Sequence, residues 1–206
     1  MNITHPQLVA ALVKPPIDII ATLSQYSTDL WHGATGVAGE AGELLEMVSG
    51  GIIDIENLVE ELGDLEFYME QIRQRTGINR IPEADHFADS YENTEDRGTA
   101  LLVLTVDLVV EATKVLDFIK KCAIYNKELD KDSLSTALSA MDAVMAKIRK
   151  VAGVQRETVL LENIRKLSKR YESLSYSDKA AQDRADKQPE RKPFKGEPAD
   201  RDVNGA

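Results

Sequence analysis

The sequence predicts an all-α protein. Apolar residues recur at helical spacing along most of the 206-residue chain, and no run of alternating β-branched residues is bounded by turn pairs such as Asn-Gly. The apolar fraction of 43% is sufficient for a packed core. The most apolar run, 101–110, is shorter than the roughly 20 residues that a membrane helix needs, so we expect no membrane span.

The periodicity predicts six helices. The first extends from about 16 to 30, and the second from about 36 to 48, where a glycine pair follows. The third begins after an N-cap, Asp54 or Asn57, and ends at Gly77. Its apolar stripe is typical of a bundle helix and consists of Leu58, Leu62, Leu65, Met69 and Ile72. The other three helices cover about 100–124, 131–152 and 157–171.

Two segments lack this periodicity. Residues 79–99 are polar and acidic and contain Pro82, which predicts a connector. Residues 188–206 place three prolines among charged residues, which predicts a disordered tail. The chain is therefore divided into a first half (1–78), the connector, a second half (100–187) and the tail.

The net charge of −10 is unevenly distributed. Residues 15–72 contain twelve Asp and Glu and no Lys or Arg, whereas residues 147–195 contain fourteen Lys and Arg against seven acids. A carboxylate cluster needs a counterion, usually a divalent metal, and a basic segment is suited to phosphates. The alternative is two separately solvated faces.

Charge and cysteine content also limit the classes of partner and the cellular location that we expect. The negative net charge and the low aromatic content disfavour nucleic-acid binding, although the basic C-terminal region keeps it as a weaker alternative. Cys122 is the single cysteine, so no intramolecular disulfide can form, and the first residues do not resemble a secretion signal. We therefore expect a cytoplasmic location.

An internal repeat relates the two halves. Residues 40–46 (EAGELLE) align with 111–117 (EATKVLD) at an offset of 71, and 76–78 (TGI) align with 152–154 (AGV) at an offset of 76. The acids of the first copy are lost in the second, since Glu43, Glu61 and Asp64 become Lys114, Ala137 and Ala140. We predict a pseudo-dimer of related halves, with chance similarity between amphipathic helices as the alternative.

Four carboxylates form the candidate metal site. Glu40 and Glu43 are three residues apart on one predicted helix, and Glu61 and Asp64 are three apart on the next. Antiparallel packing brings the pairs together, and Mg²⁺ prefers such oxygen ligands while keeping room for a phosphate. Solvated surface acids are the alternative. Glu60 is left out because it fits a capping box with the residue three positions before it.

These acids resemble a known family. Residues 39–44 (GEAGEL) and 60–65 (EELGDL) resemble the metal-binding signature of the all-α, MazG-like nucleoside triphosphate pyrophosphohydrolases. Residues 163–171 (NIRKLSKRY) and 176–187 are similar to the end of phage-type members. Family members often have Glu where this chain has Gly39, which removes one candidate acid.

The resemblance implies a reaction and roles for particular residues. Water attacks a nucleoside triphosphate between the α and β phosphates, giving the monophosphate and pyrophosphate, with Mg²⁺ or Mn²⁺ held by Glu40, Glu43, Glu61 and Asp64. One of these acids, or a neighbouring one, orients or deprotonates the water. Substrate contacts are implied for His32, Lys121, Lys127, Asn163, Lys166 and Arg170. For His32 a packed interface histidine is the alternative, and for the last three a solvated basic helix face.

The repeat suggests a division of labour, in which the first copy supplies the metal acids and the second copy the cations of one composite site. We expect a deoxynucleotide substrate, and the base cannot be deduced. An all-α dUTPase and a dGTP-directed enzyme stay open, as does a helical protein that binds metal or nucleotide without turnover. Further pairing into a homodimer is compatible with all of these.

Overall fold

A computed structural model describes residues 3–51, 53–82, 88–89, 91–92 and 96–187. These residues contain no strand, so the all-α prediction is confirmed for the described part of the chain. The helices are α1 (His5–Leu12), α2 (Pro16–Thr22), α3 (Gln25–Ser49), α4 (Ile55–Thr76), α5 (Arg97–Tyr125), α6 (Lys131–Ala152), α7 (Arg156–Arg170) and α8 (Asp178–Asp183). None of them is long and apolar enough to cross a membrane. The predicted disordered tail lies outside the described residues.

The chain divides into two compact units, residues 1–164 and 165–206. In the second unit, the Arg170 guanidinium donates two hydrogen bonds of 2.7 Å to the carboxylate of Asp186. This bonding lowers the pKa of Asp186 to about 2. The Tyr171 and Tyr176 rings pack 5.9 Å apart between centroids.

The first unit is built around four long helices. Helix α3 packs against α4 and α5, α5 packs against α6, and α4 also contacts α6. Their apolar stripes form one core, whose largest fully buried side chains are Leu30, Leu44, Leu58, Leu62, Leu65, Met69, Ile72, Leu101, Leu108, Ile119, Leu134 and Leu138. The stripe predicted for the third helix is therefore the buried face of α4.

Two glycines bring α3 and α4 into close contact. A Cβ at Gly36 would lie 2.5 Å from the Tyr68 ring, and one at Gly33 would lie 2.8 Å from the Ile72 side chain. A larger residue at either position would push the helices apart. This contact fixes the two helices that carry the predicted metal acids.

The predicted boundaries of the first two helices are wrong. Residues 16–30 are not one helix, because Ser24 is extended and its hydroxyl accepts the Ser27 N–H as the N-cap of α3. Helix α3 then continues through the predicted gap before residue 36, since its glycines there are held by packing against α4. His32 consequently lies inside α3. Helix α1 was not predicted.

Helices α4 and α6 correspond closely. Each has 22 residues, each follows an aspartate N-cap (Asp54 or Asp130) whose carboxylate accepts backbone N–H groups, and each ends at a left-handed glycine (Gly77 or Gly153). The predicted capping box ending at Glu60 is wrong, because Asp54 caps α4 one turn earlier. The boundaries predicted for α6 are confirmed.

Two buried acids, Glu66 on α4 and Asp142 on α6, each form ion pairs with two arginines from other segments of the chain. The corresponding members of these pairs differ by 76 in number. The four pairs are Arg73–Asp142 at 2.7 Å, Arg80–Asp142 at 3.4 Å, Arg149–Glu66 at 3.8 Å and Arg156–Glu66 at 2.7 Å.

Candidate metal centre

Three carboxylates converge between α3 and α4. Glu40 and Glu43 lie one turn apart on α3, Glu61 lies on α4, and one oxygen of each is within 4.8 Å of the others. Glu61 is 7% exposed, Glu40 is half-buried and Glu43 is exposed, so the group reaches from the core side to the surface. The two helices meet here because they pack closely and are joined by the short connection 50–54.

The acids strongly perturb one another. Burial, the nearby Asp64 carboxylate and a hydrogen bond with Glu61 raise the pKa of Glu40 to about 8. Burial also raises the pKa of Glu61, although its hydrogen bond with Glu40 opposes this shift. The hydrogen bond between the two carboxyl groups thus raises the pKa of Glu40 and lowers that of Glu61, which favours Glu40 as the donor.

The donor set suits a hard divalent cation. It consists of carboxylate oxygens on two rigid helices, which are the ligands that Mg²⁺ and Mn²⁺ accept. The adjoining surface of α3 is open, because a Cβ placed on Gly39 or Gly42 would meet nothing within 4 Å. Helix packing gives no reason for glycine at these two positions, where alanine would be about 1 kcal/mol better in a helix.

Asp64 lies beside this group and has a partner of its own. Its Oδ1 accepts a 2.8 Å hydrogen bond from the Nδ2 of Asn163 on α7. Asp64 nevertheless exerts the largest charge effect on Glu40. The structure thus brings three of the four predicted acids into one metal-sized group and places the fourth next to them, tied to α7. Sequence spacing gave no indication of this difference.

A cleft of about 550 Å³ runs along α4, and none of the four predicted metal acids lines it. Its lining includes residues of α3, α4 and α7: Asp29, Glu66, Phe67, Glu70, Gln71, Gln74, Arg75, Leu160, Asn163 and Ile164. His32 is near the cleft, with its Nδ1 at 3.4 Å from the Nε2 of Gln71 and its ring edge-on to Tyr68. Asn163 therefore both lines the cleft and binds one of the acids, Asp64.

Two of the predicted cations have acidic partners near them in the sequence, Asp117 for Lys121 and Asp186 for Arg170. Lys121 forms a 2.6 Å ion pair with Asp117 on its own helix, and Lys127 is exposed just beyond the end of α5. Lys166 and Arg170 belong to the unit 165–206, where Arg170 binds Asp186. Their predicted contacts with phosphate stay predictions.

Positions of the second copy that align with the acids have a different chemistry. Lys114, aligned with Glu43, forms a 2.6 Å ion pair with Glu111, aligned with Glu40. Ala137 and Ala140, which the predicted repeat aligns with Glu61 and Asp64, cannot bind a cation. A lysine ammonium thus neutralises the remaining glutamate.

Glu66, Arg149 and Arg156 were not among the predicted site residues. A detectable signal was present, because 73–80 (RQRTGINR) and 149–156 (RKVAGVQR) share an arginine, a glycine and a second arginine at identical spacing. Extending the alignment of 76–78 with 152–154 by a few residues in each direction reveals it. Comparison with protein-family models, with curated proteins and with solved structures finds no match for this chain.

The raised pKa of Glu40 predicts a link between metal binding and pH. Between pH 4.5 and about 8 the native protein holds a proton that the unfolded chain has released, so its free energy of unfolding falls as the pH rises. A bound cation displaces this proton. The affinity for Mn²⁺ should therefore increase by about tenfold per pH unit up to about pH 8 and then level off.

Isothermal titration calorimetry in buffers of different ionisation enthalpy measures both the affinity and the proton release. Glu40→Gln removes one titrating group and should reduce the proton release, and the remainder should come from Glu61, whose pKa is also raised by burial. Equal Mn²⁺ affinity of the wild-type protein at pH 6 and pH 8 would contradict the prediction.

Proposed function

We propose that this chain is a Mg²⁺-dependent, MazG-like nucleoside triphosphate pyrophosphohydrolase that acts in control of the deoxynucleotide pool. It converts a (deoxy)nucleoside triphosphate and water to the monophosphate and pyrophosphate. The observation that carries the proposal is the convergence of Glu40, Glu43 and Glu61 from two closely packed helices. Their arrangement suits a divalent cation, and nucleoside triphosphates are common ligands of protein-bound Mg²⁺.

The residues of the chain have distinct tasks in this reaction. Glu40, Glu43, Glu61 and Asp64 hold the cation, which when bound neutralises phosphate charge and lowers the pKa of water. Any of these carboxylates not committed to the cation can orient the attacking water. The cleft that Asn163 lines suits a nucleoside, because Phe67, which also lines it, exposes 46% of its surface for contact with a base.

The proposal includes an origin by duplication, with two related halves and one composite site. It is supported by the matching lengths and caps of α4 and α6 and by the four arginine–acid pairs related by an offset of 76. Asn163, from the second half, reaches Asp64 of the first. In the second half the Lys114–Glu111 pair replaces a metal site. The chain then has one centre instead of two.

The experiment tests the canonical ribo- and deoxynucleoside triphosphates together with dUTP, in the presence of Mg²⁺ or Mn²⁺. Pyrophosphate, orthophosphate and the nucleotide products are separated and measured. The expected products are pyrophosphate and the monophosphate in equal amounts. Release of orthophosphate and the diphosphate would contradict the proposed bond cleavage. Turnover of dUTP alone would identify the dUTPase alternative, and nucleotide binding without turnover would identify the binding-protein alternative.

A further inference from the structure

Two side chains of α7 attach this helix to α4 at the candidate metal centre. Arg156 and Asn163 are seven residues apart, which places them on one face of α7. Arg156 binds Glu66 and Asn163 binds Asp64. The two acceptors lie only two residues apart on α4, so the contacts act on one short stretch of that helix.

The Arg156–Glu66 contact restricts orientation as well as distance. The Nε and Nη2 atoms of Arg156 each donate a 2.7 Å hydrogen bond to a different oxygen of Glu66. Glu66 is 4% exposed, and Arg149 approaches it at 3.8 Å from α6. A two-point contact between a planar guanidinium and a buried carboxylate fixes the angle between the groups, which a single ammonium contact does not.

Close packing at Gly63 brings Asn163 within reach of Asp64. A Cβ on Gly63 would lie 2.9 Å from the Cβ of Asn163, so α7 can approach α4 this closely only because residue 63 has no side chain. The Asn163 amide then donates to Oδ1 of Asp64. A hydrogen bond of this kind sets the direction of the second carboxylate oxygen.

We infer that Arg156 and Asn163 are positioning residues of the metal centre. The Arg156–Glu66 pair sets the placement of residues 156–164 of α7. Asn163, held in that segment, then orients the Asp64 carboxylate toward Glu40, Glu43 and Glu61. This inference rests on the proposed function in taking those acids as metal ligands. It assigns α7 a role in building the centre, separate from any contact with substrate.

The bundle contains a matched control. Arg80 contacts Asp142 in the position that corresponds to Arg156 and Glu66, but on the side where alanines replace the acids. Arg80→Met removes an ion pair of 3.4 Å, and Arg156→Met removes two hydrogen bonds of 2.7 Å at the corresponding position. Only the second substitution should affect the centre.

The experiment measures Mn²⁺ affinity by calorimetry without nucleotide, and thermal unfolding, for the wild type and both variants. Arg156→Met is expected to weaken Mn²⁺ binding by about tenfold or more. Arg80→Met should leave the affinity unchanged, although both substitutions lower the melting temperature. Arg156→Lys should restore the affinity only in part, because it keeps the charge but not the two-point contact. Equal losses of Mn²⁺ affinity in Arg80→Met and Arg156→Met would overturn the inference.

A double variant tests whether Arg156 acts through Asn163. Once Asn163→Ala has removed the hydrogen bond to Asp64, adding Arg156→Met should weaken Mn²⁺ binding little further. Fully additive losses of Mn²⁺ affinity would overturn the proposal that Arg156 acts through Asn163.

The inference and the proposed function can fail separately. If Arg156→Met selectively loses Mn²⁺ affinity but the wild type turns over no nucleotide, only the proposed function is contradicted. If the wild type turns over a nucleotide but Arg156→Met shows no selective loss of Mn²⁺ affinity, only the inference is contradicted.

Discussion

Glu61→Gln is expected to abolish pyrophosphate release while making the metal-free protein more stable. Glu61 is buried against Glu40, and its raised pKa shows that its charge is unfavourable there. Glutamine has the same shape without the charge, so it relieves the repulsion. Loss of one metal-binding carboxylate removes several kcal/mol of charge stabilisation in the reaction, which corresponds to a decrease in kcat/KM on the order of 10³-fold.

The measurements are steady-state kinetics with the best nucleotide of the panel and urea unfolding in the presence of a chelator. Glu46→Gln is the control, because Glu46 is an exposed acid on α3 outside the three-carboxylate group. It should retain activity and stability. Near-normal turnover by Glu61→Gln would exclude Glu61 from the metal centre and with it the proposed use of the cluster.

Asp142→Leu is expected to destabilise the bundle strongly. Asp142 is almost fully buried and pairs with Arg73, which is 5% exposed. Burial raises the pKa of Asp142 even though Arg73 and Arg80 lower it, so desolvation outweighs the attraction of the arginines. Removing the carboxylate leaves the Arg73 charge buried and should lower the free energy of unfolding by about 3–5 kcal/mol, as measured by urea denaturation.

The double variant Arg73→Met, Asp142→Leu distinguishes two effects on stability. One is the cost of burying the Arg73 charge without Asp142, and the other is the net contribution of the Arg73–Asp142 ion pair. It should recover to within about 1–2 kcal/mol of the wild type, since apolar replacements avoid the desolvation cost. Arg75→Ala removes a pair with Asp29 in which both side chains are about 40% exposed. It should change the stability by less than about 1 kcal/mol. No recovery in the double variant would show that the ion pair itself stabilises the fold.

The sequence predicted those parts of the fold that depend on local patterns. Helix α6 and the core face of α4 follow from apolar spacing and from the left-handed glycines that end them. The start of α3 did not follow, because Gly33 and Gly36 weaken a helix locally and are stabilised only by contact with α4. Such compensation depends on which helices pack together, and the sequence pattern alone does not specify that.

The candidate site, too, could be predicted from the sequence only where local spacing determines it. Helical spacing alone placed Glu40 beside Glu43, and packing of α3 on α4 added Glu61. The contact between Asp64 and Asn163 joins residues 99 positions apart and depends on the approach of α7 over Gly63. Glu66 was overlooked because a single buried acid on an amphipathic helix has no distinctive spacing. Its role is visible only with the arginines that surround it.

The links between α4 and α7 join distant parts of one polypeptide. Arg156 and Glu66 are 90 positions apart, and both contacts form within a single chain. Where such contacts cross between separate subunits, they are lost when the protein is diluted below its dissociation constant. Here the effective concentration of one partner near the other is set by the fold and not by the number of molecules in solution. The chain therefore keeps this arrangement at any dilution at which it stays folded.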